Sequence, residues 1–84
     1  MDSKIFRALI QAGAVRQVRI IADGSRFRVE VDTGTDTAIL HTLKGQLKTW
    51  GSLNAAARWL HTLGIGKCQL ELGGWQPSQK DLKF

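Results

Sequence analysis

The chain has 84 residues, a net charge of +5 and a single cysteine, Cys68. At this length one domain with a thin core is expected, which leaves little apolar material for a deep substrate pocket. A lone thiol cannot form an internal disulfide, and no apolar run approaches the ~18 residues of a membrane span, so a reducing cytoplasm is the expected compartment. The positive charge favours polyanions, either nucleic acid or the acidic surface of a partner protein.

Asp2 and Ser3 are helix-capping residue types, and Ile5, Phe6, Leu9 and Ile10 follow at helical spacing. The pattern predicts a first helix over about 3–12, stopped by Gly13. Residues 15–22 are rich in β-branched side chains. Asp23-Gly24 reads as a two-residue hairpin turn, and 26–32 alternates with Phe27, Val29 and Val31 on one face. Centred on Asp23-Gly24, the register pairs Ile20 with Phe27 and Val18 with Val29. On the other face it sets Arg19 directly opposite Arg28, a repulsive pair. Gln17 opposite Glu30 offers one nearby acid.

A polar turn over 34–37 leads to a second expected hairpin, 38–43 and 46–50, around Lys44-Gly45. In that register Ile39, His41, Lys48 and Trp50 share the outward face. Ser52 caps a second helix whose apolar stripe is Leu53, Ala56, Ala57, Leu60 and Leu63, with Gly64 as its stop and Trp59 on its flank. A last strand, 67–72, places Cys68, Leu70 and Leu72 inward and ends at Gly73-Gly74. Residues 76–84 are expected to form a loosely ordered tail within a single domain spanning 1–84. The fold class is α+β. It comprises a mainly antiparallel, curved sheet of four to five strands with two helices on one face, in the order α-β-β-β-β-α-β.

Chemistry of the enzymatic kind is not legible. His41 and His61 lie on different elements without an acid nearby in sequence, and Cys68 sits where a thiol is ordinarily an inert small hydrophobe. No Cys/His/Asp/Glu grouping has metal-ligand spacing. Gly64-Ile65-Gly66 follows a helix and precedes a strand, the reverse of a phosphate-binding loop. No cofactor or metal is therefore expected, and the chain reads as a binding protein rather than an enzyme.

Two binding surfaces remain. The first is the outward sheet face, with Arg19, Arg26, Arg28 and Lys48 to contact phosphates and Trp50 to stack on a base. Trp50 is equally suited to the core, between the sheet and the second helix. The second is a protein interface built from Trp59, Trp75 and Phe84, whose alternative is mutual packing of Trp59 and Trp75. Dimerisation would bury further surface.

Three stretches carry a resemblance: Lys48-Thr49-Trp50-Gly51-Ser52-Leu53-Asn54-Ala55-Ala56-Ala57-Arg58-Trp59-Leu60, then Leu63-Gly64-Ile65-Gly66, then Trp75-Gln76-Pro77-Ser78-Gln79-Lys80. Together with the early hairpin over 18–24, they are similar to the small ParC-type partition-associated proteins of bacterial plasmids and integrating elements. The resemblance spans nearly the whole chain. It implies an accessory role in maintenance or transfer of mobile DNA, with nucleic acid or a protein of the partition or transfer machinery as partner. Its motifs are mostly packing and capping residues, so it supplies no catalytic residue.

Overall fold

The computed structural model describes residues 1–76. Its elements are α1 (Ser3–Gln11), β1 (Gln17–Gly24), β2 (Arg26–Asp32), β3 (Thr37–Ile39), α2 (Leu53–Thr62) and β4 (Gln69–Trp75). The four strands form one mixed sheet in the order β3-β2-β1-β4. β1–β2 and β2–β3 are antiparallel, whereas β4 runs parallel to β1. The expected class, α+β with two helices, holds. The four strands among the described residues fall within the expected four to five but are one short of the expected order, and the parallel β1–β4 pairing makes the sheet mixed where a mainly antiparallel one was expected.

Both helices begin as the sequence dictates. The Asp2 carboxylate accepts the Ile5 N–H at 2.9 Å, and Ser52 Oγ accepts that of Ala55 at 3.1 Å. Each cap satisfies a donor that the first helical turn leaves without an intrahelical acceptor. Both end in the same hydrogen-bond pattern, with Ala14 N donating to Leu9 O and Ile65 N donating to Leu60 O. This closure brings Ile65 against the core, where it helps seal the end of α2.

The core forms between the helices and one face of the β1–β2 hairpin. Val18, Ile20, Ala22, Phe27, Val29 and Val31 are buried there with Phe6 of α1, Ala56 and Leu60 of α2, and Leu40. The strict alternation of these residues therefore reports the buried face correctly. Ala56 is fully buried, consistent with a small side chain letting α2 approach the sheet.

The hairpin register differs from the expected one. The turn is Gly24-Ser25, and the ladder runs from Asp23↔Arg26 to Gln17↔Asp32. Of the two central residues of this turn, only Gly24 has a positive φ, at 65°. That is the pattern of a turn needing glycine at its first central position, where an Asp23-Gly24 turn would need two such residues. The shift keeps every apolar residue on its face but changes every cross-strand partner. Ile20 now faces Val29, Val18 faces Val31 and Arg19 faces Glu30. A like-charge pair is thereby exchanged for an opposite-charge one.

The second hairpin is reduced to the three residues of β3 and two isolated bridges, His41↔Leu47 and Phe27↔Trp50. Its tip is a tight turn in which Gly45 N donates to Thr42 O at 2.9 Å. The bridge to Phe27 carries Trp50 to the core side, not the outward face.

β4 departs most from expectation. It starts and ends later than 67–72, and Gly73-Gly74 lies inside it, next to a register shift between Ile21 and Asp23 of β1. At Gly74 a Cβ would stand 3.0 Å from the Ala22 carbonyl oxygen, so the backbones approach closely where the bulge sits. Every residue of β4 is exposed, as is Cys68, and the inward placement of Cys68, Leu70 and Leu72 is corrected accordingly. The reason is position: β4 is the sheet edge, and α2 packs over β1 and β2 instead. No helix among the described residues is long and apolar enough to cross a membrane.

Candidate interaction surfaces

The hairpin places Arg19, Arg26 and Arg28 on the sheet face away from the helices, as the alternation requires. The same alternation places Asp23, Glu30 and Asp32 beside them, and β4 adds Glu71 through its pairing with Ile21. Arg19 Nη2 lies 3.4 Å from Glu30 Oε1, and its Nε 3.9 Å from Glu71 Oε2. Arg28 Nη1 lies 3.1 Å from Asp23 Oδ2, and its Nη2 3.9 Å from Glu30 Oε2. Glu30 thus sits between two guanidinium groups. The Arg19, Arg28 and Glu30 side chains are 16%, 24% and 20% exposed, so these ion pairs are partly withdrawn from water and less screened than fully exposed ones.

Arg26 is engaged differently. Its Nε donates to Thr49 Oγ1 at 2.8 Å, and no carboxylate among the described residues lies within ion-pair distance. The face therefore carries three arginines against four carboxylates. The repulsion between Arg19 and Arg28 that the sequence suggested does not arise.

Lys48 and Trp50 stand on the other side of the sheet. Trp50 packs on Trp59 with ring centroids 5.1 Å apart, and Trp59 stacks on Phe6 at 5.9 Å. Lys48 Nζ lies 5.4 Å from the Trp50 ring and 5.5 Å from the Trp59 ring. An ammonium over two indole faces is held electrostatically by both. The five residues grouped as a nucleic-acid site are thus split between two layers, and Trp50 takes its packing role.

The aromatic surface is divided in the same way. Trp59 is partly buried against Phe6 and Trp50. Trp75 lies at the end of β4, 46% exposed, and is not among the stacked rings. Phe84 lies outside the described residues. The mutual packing of Trp59 and Trp75 is therefore replaced by a ladder of Phe6, Trp59 and Trp50.

Sequence reasoning missed the character of β4. Leu70 pairs with Ile20 and so faces the helix side, yet it is 41% exposed where Ile20 is 1%. Leu72 is 45% exposed. With Trp75 they make a row of large apolar side chains along a strand whose second edge has no partner among the described residues. One signal was available: glycines inside an alternating run mark a bulge as readily as an end. His41, His61 and Cys68 stay on separate elements, and no group of three or more potential metal ligands occurs among the described residues.

A family model described as ParC-like matches residues 1–79. No curated protein and no solved structure matches the chain.

Proposed function

The chain belongs to the ParC-like family, and on that premise we propose that it is a non-enzymatic adaptor in the maintenance of mobile DNA, joining a partner protein through the edge of β4. The setting comes from the resemblance to partition-associated proteins. The mode of action starts from the sequence, in which no nucleophile stands beside a base. A cytoplasmic site of action and a partner from the partition or transfer machinery belong to the same proposal.

The observation that carries it is the exposure of all seven residues of β4 at the sheet edge. A free edge offers backbone donors and acceptors to an incoming extended segment, which would add as a fifth strand. Main-chain hydrogen bonds would supply affinity. Leu70, Leu72 and Trp75, on one flank of the strand, would select apolar side chains at alternate positions. The outward sheet face is the weaker candidate, because Arg19 and Arg28 already meet carboxylates of their own molecule.

Affinity capture of the tagged chain from cells carrying its mobile element, quantified by mass spectrometry, tests this reading. Leu72→Lys, at a position already open to water, should reduce capture of the partner at least tenfold without unfolding the domain. Arg26→Glu should leave capture unchanged. The reverse pattern would move the site to the sheet face and end the edge-strand proposal. Sedimentation velocity of the purified chain tells a second copy from a different partner.

A further inference from the structure

The surplus positive charge does not reside where the alternating hairpin first suggests. On the outward sheet face the arginines are outnumbered by carboxylates, so that layer contributes nothing to the net +5. On the helix side, Lys4 and Arg7 are exposed on α1 and Arg58 on α2. Lys44 and Lys48 belong to the neighbouring loop. Asp2 is the acid nearest this group in the chain, and its carboxylate is occupied in capping α1.

A cleft opens between the start of α1 and this loop. It is lined by Ser3, His41, Thr42, Lys44, Gln46 and Lys48, with Leu43 at its side and no carboxylate. Ammonium, hydroxyl and amide groups are the side-chain types that contact phosphates in nucleic-acid complexes. Lys48 is already positioned over Trp50 and Trp59, so less of its conformational freedom remains to be lost on binding. Two lysines line the cleft, and α1 and α2 carry the further exposed cations Lys4, Arg7 and Arg58, a charge distribution suited to a polymer of regularly spaced phosphates.

We infer that the helix-side surface, centred on the Lys44–Lys48 cleft and extended by Lys4, Arg7 and Arg58, binds the phosphate backbone of nucleic acid. This surface is separate from the β4 edge, so either role can fail without the other. Binding is sequence-independent, because the lining meets phosphates and no base-reading constellation accompanies it.

Fluorescence anisotropy with a labelled 25-base-pair duplex tests the inference, with circular dichroism to verify that each variant is folded. Affinity should fall steeply with added salt, since each neutralised phosphate releases counterions. The double variant Lys4→Glu/Lys44→Glu, both exposed positions, should weaken binding at low salt at least tenfold and flatten the salt dependence. Arg26→Glu on the opposite layer should change affinity less than twofold. No binding by the parent chain at low salt, or an equal loss from Arg26→Glu, would overturn the assignment. So would equal affinity for a polyglutamate probe of matched charge, which would turn the surface over to an acidic protein.

Discussion

Arg19 and Glu30 stand opposite each other in the β1–β2 ladder, with Nη2 3.4 Å from Oε1. Glu30 also reaches Arg28, so a single carboxylate holds two guanidinium groups that would otherwise repel across one face. The pairing ties two of the arginines expected to contact phosphates into the sheet itself.

Glu30→Gln should therefore destabilise the domain by about 1 kcal/mol, more than a typical exposed ion pair contributes because the side chains are partly shielded. For a chain of this size that corresponds to a melting temperature lower by roughly 4–8 °C. Added salt should narrow the gap between variant and parent, because it screens the interaction being lost. Thermal unfolding at low and high ionic strength checks both parts, and an unchanged melting temperature would show that the network contributes nothing.

Gly24→Ala isolates the backbone requirement of the turn. A Cβ there would meet nothing within 4 Å, so the substitution costs only the left-handed conformation at φ 65°. The expected loss is about 1–2 kcal/mol, and Gly24→Asn should recover part of it, since asparagine tolerates that region better. Urea unfolding midpoints of the two variants measure the difference. Equal midpoints for alanine and the parent would argue against Gly24-Ser25 as the turn.

Ala56 and Leu60 probe the contact between α2 and the sheet from opposite directions. Both are essentially inaccessible, at 0% and 1% exposure. Leu60→Ala should cost roughly 2–5 kcal/mol through lost burial and the cavity left behind. Ala56→Leu should cost about 1–3 kcal/mol by forcing the helix off the strands. Losses this large are a substantial part of the stability of so small a domain. Chemical denaturation would show them, and a neutral Ala56→Leu would mean that α2 does not pack closely.

Much of the local structure was legible in the residues. Both helices, their capping side chains Asp2 and Ser52, and the glycines that end them follow from short-range chemistry that the chain carries wherever it folds. The buried face of the hairpin was legible too, because side chains alternate with period two. Register was not, for a related reason. Moving the turn from Asp23-Gly24 to Gly24-Ser25 keeps Val18, Ile20, Ala22, Phe27, Val29 and Val31 on the same face, so the apolar pattern is blind to it.

The tertiary structure alone decided which charge meets which, and hence that Arg19 finds Glu30. It also decided that Leu70 and Leu72 stand in the open. Their alternation is that of a half-buried strand, but burial depends on what lies across the neighbouring strand, and α2 covers β1 and β2 rather than β4. The sequence by itself determined faces and ends, which are set within a few residues. Neighbours and edges depend on segments as far apart as Ile20 and Leu70, and only the folded chain brings those together.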